Sequence, residues 1–203
     1  LARIRPEGPR TIADVIEEQA AARAKHPFVI FEGRTLTYDE YNRAANRVAH
    51  WALANGIGRG ERVALLMHNR PEFLETWAGL AKVGATSALI NTNLTGRALA
   101  HALRVCEPKK VLLGEEHVPA ALAVLQEEGG LPGLSIEKDV HVKLDSSAQR
   151  AGGAAPGGGA GPAHVIDTDL AAAPRHAPHT DHRPLGSGVY CYIYTSGTTG
   201  MPK

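Results

Sequence analysis

Cysteine is scarce: Cys106 and Cys191 are the only two in 203 residues, and they do not share a CxxC spacing. That excludes a disulfide framework and suits a reducing compartment. No apolar run approaches the roughly 18 residues that a membrane-crossing helix needs. No signal peptide opens the chain. An excess of either charge is also lacking. Lys and Arg number 22, Asp and Glu 21, and the net charge is +1. Nothing here argues for a nucleic-acid partner or an acidic disordered tail. The first residue is Leu1 rather than Met and the last is Lys203, which reads as a fragment cut at both ends. An amino-terminal membrane anchor therefore stays open. What is present is length enough for one domain, or one and a half, with a real hydrophobic core.

Residues 1–10 are basic and hold Pro6 and Pro9, and they read as an arm. Thr11 and Asp14 have the spacing of a capping box, and Ile12, Ile16 and Ala20 then form one apolar face. Pro27 ends that segment. Phe28–Phe31 and Thr35–Thr37 flank Glu32-Gly33-Arg34, the pattern of a β-hairpin. Thr37 and Glu40 make a second capping box. Tyr38, Tyr41, Ala45, Val48 and Ala52 follow at helical spacing, and Gly56 stops that helix. The tyrosines fit packing better than ligand contact.

From Glu61 onward, strand and helix alternate. Strands are expected at Val63–Met67, Ala85–Ile90, Val111–Leu113 and Val140–Leu144. A helix starts at Pro71, with Phe73, Trp77, Leu80 and Ala81 on one side, and Gly84 closes it. Another is capped by Thr95, carries Leu99, Ala102, Leu103 and Cys106, and ends before Pro108. A third holds Leu122 and Leu125 and runs to Gly129-Gly130. Such alternation predicts an α/β fold, a mostly parallel sheet layered with helices, preceded by a helix and a β-hairpin. Ala151–Pro162 is low in complexity and reads as a flexible surface insertion, spanning 145–165. A linker between domains is the rival reading.

Some candidates carry less. His176, His179 and His182 with Asp181 have metal-like spacing, but Pro174, Pro178 and Pro184 prevent one helix face, so no metal site is assigned. His68-Asn69-Arg70 stands at a strand end, where functional loops gather; Asn69 and Arg70 fit caps of the next helix better. Cys191, on an apolar strand, reads as buried and inert.

The last dozen residues organise the chain. Val189–Tyr194 reads as a buried strand that empties into Thr195-Ser196-Gly197-Thr198-Thr199-Gly200-Met201-Pro202-Lys203. Gly197 and Gly200 let the backbone approach a ligand. Successive N–H groups can converge on an anion. Four hydroxyls add donors, and Lys203 adds a charge suited to phosphate. Three residues follow the second glycine up to Lys203, so this is not the GxxxxGK[ST] loop. A solvated Gly/Ser/Thr turn would explain part of the order, but not all of it.

Tyr192-Ile193-Tyr194 through Lys203 resembles the phosphate-binding signature of acyl-adenylate-forming enzymes. With Ala88-Leu89-Ile90-Asn91-Thr92-Asn93-Leu94, it is similar to the branch of very-long-chain acyl-CoA synthetases and fatty acid transport proteins. The likeness runs from about Thr11 to Lys203, with a gap near 145–165. It implies that 11–203 is an incomplete adenylation domain, covering about the first third of such an enzyme. It also implies ATP-dependent activation of a long-chain fatty acid, then transfer to coenzyme A, with Mg²⁺. Tyr194, Thr195, Ser196, Gly197, Thr198, Thr199, Gly200, Met201, Pro202 and Lys203 are then the ATP phosphate-binding residues.

In the family, the catalytic lysine, the adenine pocket and the acidic residue near Mg²⁺ lie after this point. No catalytic or metal residue is assigned here, and the 203 residues alone are expected to be inactive. The ligands implied are fatty acid, ATP and CoA. The location implied is the cytoplasm, or a membrane with the catalytic domain facing the cytosol. Adenylation of another carboxylic acid, and a non-catalytic lipid-handling protein with this fold, remain as alternatives.

Overall fold

The computed structural model describes residues 10–127, 131, 133–143, 163–180, 184 and 186–193. The chain divides into two compact units. The first takes Leu1–Glu61, Asn69–Thr86 and Asp169–Tyr190.

Helix α1 (Ile12–Ala22) begins at a full capping box. Thr11 N donates to Asp14 Oδ2 at 2.8 Å, and Asp14 N donates to Thr11 Oγ1 at 3.3 Å. Two otherwise orphaned N–H groups are thereby satisfied. Strands β1 (Pro27–Phe31) and β2 (Arg34–Thr37) form an antiparallel hairpin with Phe31 opposite Arg34. The two-residue turn holds Glu32 at φ 46° and Gly33 at φ 75°. Positive φ at both positions is the I′ geometry whose twist matches a hairpin.

Helix α2 (Tyr38–Ala54) starts at the second box, Thr37 with Glu40. It buries Tyr41, Ala45, Val48 and Ala52 as its spacing predicts, leaves Tyr38 half-buried at its first turn, and adds Asn46, Ala49 and Trp51. Helix α3 (Pro71–Lys82) departs from expectation. Phe73 and Trp77 are only half-buried, and the buried side carries Glu72, Thr76 and Gly79 beside Leu80 and Ala81. Arg34 and Arg70 explain Glu72: their guanidinium nitrogens lie 3.2 and 3.8 Å from its carboxylate. Gly79 lets α3 approach α2 closely, since a Cβ there would stand 2.4 Å from Val48 Cβ.

The second unit takes Arg62–His68, Ser87–Thr168 and Cys191–Lys203. Its strands are β3 (Arg62–Leu66), β4 (Thr86–Leu89), β5 (Lys110–Gly114), β6 (Val140–Lys143), β7 (His164–Val165) and β8 (Cys191–Ile193). They form one parallel sheet in the order β7-β6-β5-β3-β4-β8. Strands β3 and β5 are buried almost end to end, as both-face coverage requires. Helix α4 (Gly96–Cys106) buries Leu99, Ala102, Leu103 and Cys106 against Leu66, Val111 and Leu113. Glu107, at φ 42°, ends it ahead of Pro108. Thr95 holds the N-cap position of α4 without a side-chain cap bond.

Helix α5 (Val118–Gln126) buries Leu125, while Leu122 is half-buried. A short α6 (Ile136–Asp139) and α7 (Asp167–Ala172) were not foreseen. Both are below two turns and show no helical period long enough to read. Strand β7 was not foreseen either. It draws the end of the 145–165 segment into the sheet, with His164 opposite His141 and Ile166 fully buried. Residues 1–9, Gly129-Gly130, Leu144 and the Gly/Ala/Pro run 151–162 lie outside the described residues.

Candidate functional site

Strand β8 lies parallel to β4, with Ser87 opposite Cys191 and Leu89 opposite Ile193. Its carboxyl end therefore leaves the sheet at the same end as those of β3, β4 and β5. The expectation of a buried strand over 189–194 is corrected. The strand covers Cys191–Ile193 and, among the described residues, is the last in the sheet order, with Ile193 70% exposed. An edge strand has a neighbour on one side only, so apolar composition does not ensure burial. Cys191 is accordingly half-buried rather than buried. Val189 precedes the strand, and its carbonyl accepts from Thr86 Oγ1 at 2.8 Å.

Tyr194, Thr195, Ser196, Gly197, Thr198, Thr199, Gly200, Met201, Pro202 and Lys203, the residues expected to hold phosphate, lie outside the described residues. What precedes them is described. β4 ends in a turn closed by Asn91, whose Oδ1 accepts from Asn93 N at 2.9 Å and whose carbonyl accepts from Leu94 N at 3.1 Å. Asn91 and Asn93 are exposed at that end of the sheet. This is a side-chain turn of the kind Asn favours after a strand.

The expected caps of α3 do not form. Arg70 occupies the N-cap position, but its side chain makes no cap bond and instead lies against Glu72. Pro71 at the first helical position has no N–H to satisfy, which lowers the need for a cap. His176 and His179 do not come together with a metal-binding group among the described residues. The His176 ring stands edge-on to His50, with centroids 5.2 Å apart. The adjacent Arg175 carbonyl accepts from Asn46 Nδ2 at 2.8 Å. Asp181 and His182 lie outside the described residues.

The fold assembles one group that local sequence does not, around the strand-end residue His68. His68 follows β3, and a 3₁₀ turn, Glu115–His117, follows β5. The two strands are paired, with Leu66 opposite Leu113. Glu116 thus comes back to His68, whose backbone N donates to Oε1 at 2.8 Å. That oxygen lies 3.9 Å from His68 Nδ1 and 3.8 Å from His117 Nε2. The two rings meet edge-on at 4.6 Å. His68 is exposed and His117 is nearly buried. No local spacing announces contacts across 48 residues. The only local cue is Gly114, since a Cβ there would lie 2.3 Å from the Glu116 carboxylate.

A family model described as AMP-binding enzyme matches residues 16–203. Long-chain fatty acid transport protein 6 of Homo sapiens is 32% identical over 196 residues, covering 95% of the chain and 29% of that protein. A medium/long-chain fatty acid–CoA ligase of Mycobacterium tuberculosis is 29% identical over 199 residues, covering 98% of the chain and 29% of the ligase. The crystal structure of an anthranilate CoA ligase in complex with anthranoyl-AMP superimposes with a TM-score of 0.77 at 24% identity. It covers 99% of this chain and 35% of that one, and this likeness is one of fold. The chain spans 29% of the length of each of the two sequence relatives.

Proposed function

Because the chain belongs to the AMP-binding enzyme family, we propose that it is part of a fatty acid–CoA ligase that forms AMP. Residues 11–203 would belong to its adenylation domain, with 145–165 as an insertion. The observation that carries the reading is the parallel strand β8, which runs directly into the glycine and hydroxyl sequence ending at Lys203. Ligands of open parallel sheets bind at the carboxyl ends of the strands. The names of the two relatives, one a fatty acid transport protein and one a CoA ligase, support the substrate class.

The chemistry has two steps. A carboxylate oxygen of the fatty acid attacks the α-phosphorus of ATP, the bond to the β-phosphate oxygen breaks, and pyrophosphate leaves. The thiol sulfur of coenzyme A then attacks the acyl carbonyl, loses its proton, and expels AMP. In the first step, negative charge grows on the leaving β,γ-phosphates. Thr195 to Gly200 would donate backbone and hydroxyl hydrogen bonds to it. Lys203 would neutralise it, and Pro202 would restrict the backbone ahead of Lys203. Tyr194 and Met201 would flank that segment.

A Mg²⁺ would share the same charge. The His68, Glu116 and His117 group does not fit it, because Mg²⁺ takes oxygen ligands and this set is mostly imidazole. Among the described residues, no helix is long and apolar enough to cross a membrane. Membrane association, with the catalytic domain facing the cytosol, would come through segments beyond these 203 residues.

ATP–pyrophosphate exchange by the complete protein tests this reading across fatty, aryl and amino acids. Exchange should be strongest with long-chain fatty acids. Lys203→Ala and Gly200→Val should each lower it on the order of a hundredfold, the scale of losing one aimed donor, without altering folding. Equal rates in wild type and both variants would remove the assigned role. A folded protein with no exchange for any acid would favour transport without catalysis.

A further inference from the structure

We propose that His68, Glu116 and His117 form a binding site for a divalent transition metal of the Zn²⁺ class, which pins the loop after β3 to the turn after β5. The sheet topology opens a place for such an ion. The chain goes from β3 to β4 on one side, then returns to β5 on the other side of β3. Successive connections therefore diverge between β3 and β5. Such a switch point opens a crevice at the carboxyl ends, where open sheets bind ligands. His68 and the Glu115–His117 turn stand at those two ends.

The donor set matches that class of ion. Each residue offers one ligand atom, and all three atoms lie within 4.8 Å of one another. Ligand bonds of about 2.0–2.2 Å place tetrahedral donors about 3.3–3.6 Å apart. The carboxylate–imidazole separations of 3.8 and 3.9 Å, within a set no wider than 4.8 Å, reach that range when the side chains turn inward. Two imidazoles and a carboxylate suit Zn²⁺, Co²⁺ or Ni²⁺ and disfavour Mg²⁺ and Ca²⁺. Three protein ligands leave a fourth position for water or an external donor.

The carboxylate is also pre-organised. The Glu116 carboxylate fills the space where a Cβ of residue 114 would be, and glycine stands there. Its Oε1 also accepts from His68 N at 2.8 Å, so the oxygen is already held beside the His68 ring. His117 is nearly buried and sits on the same short turn. The proposal does not rest on the ATP reading, and its test needs no turnover.

The test is titration of the intact chain with Zn²⁺ and with Co²⁺, followed by the visible spectrum of Co²⁺ and by thermal unfolding. The expected result is one tight equivalent, a four-coordinate Co²⁺ band, a raised Tm, and no competition from millimolar Mg²⁺. His68→Ala removes an exposed side chain, so the fold survives it, and Zn²⁺ affinity should fall at least tenfold. Gly114→Ala has an allowed backbone, φ −68°, and should weaken binding through the displaced carboxylate. His179→Ala, a control for other surface histidines, should change nothing. The proposal is overturned if wild type shows no stoichiometric binding, or if His68→Ala binds Zn²⁺ as tightly as wild type does.

Discussion

Gly79 shows how one missing methyl sets a helix contact. Its position in α3 would put a Cβ 2.6 Å from Val48 Cγ1 and 2.7 Å from the Ala45 carbonyl. The carbonyl belongs to the backbone of α2 and cannot turn aside. Gly79→Ala should therefore lower unfolding stability by about 1–3 kcal/mol, the usual cost of overpacking. Urea denaturation checks this, and an unchanged midpoint would count against the close approach.

Tyr41 offers a second test at the same scale. Its hydroxyl donates to the Leu74 carbonyl at 3.1 Å. Burial, with a smaller push from Glu75, drives its pKa upward. A raised folded pKa keeps its full stabilising effect below the unfolded value, about 10, and loses it as pH climbs above that value. Stability should therefore fall more steeply above pH ~10 in wild type than in Tyr41→Phe. Parallel pH profiles of the two proteins would contradict the assignment.

At the scale of elements, local chemistry was legible where the structure uses it locally. Both capping boxes were readable because donor and acceptor lie three residues apart. Thr37→Ala should cost about 1 kcal/mol, the worth of a cap, and thermal unfolding would register it. The caps expected from Thr95 and Arg70 fail for a different reason. Position near a helix start is necessary for a cap, but side-chain direction depends on neighbours, and Glu72 draws Arg70 away. Similarly, Phe73 and Trp77 are apolar, yet α3 turns its small Gly79 toward α2.

Asp139, the last residue of the short α6, accepts from the N-cap residue Ser135 N at 2.7 Å and from Lys110 Nζ at 2.7 Å. Burial opposes its ionisation, but the Lys110 and Ser135 hydrogen bonds outweigh it and hold its pKa below the ordinary value. A depressed folded pKa stabilises above the unfolded value, about 3.9, and the effect is lost as pH falls through the folded one. Asp139→Asn should flatten the acid limb of the stability curve below pH ~4. An acid limb identical to that of wild type would show the pair to be energetically silent.

For the whole molecule, the parallel sheet brings two distant features to one end. One is the exit of β8 toward 194–203, and the other is the His68, Glu116 and His117 group. The complete protein should support ATP–pyrophosphate exchange, and the 203 residues alone should not. The family resemblance assigns the adenine pocket and the acidic metal residue beyond Lys203. Exchange by these residues alone would overturn that division of labour.

Composition and periodicity by themselves determined an α/β chain, and the terminal glycine-hydroxyl stretch carried the resemblance to adenylate-forming enzymes. Helical and strand periods are properties of neighbouring residues, and a short binding motif is contiguous. Only tertiary structure decided that β8 runs along an exposed edge, that His164 and Val165 join the sheet, and that His68 meets Glu116 and His117. Those outcomes depend on strand order and register, which place residues far apart in the chain within a few ångströms, and no local pattern encodes that order.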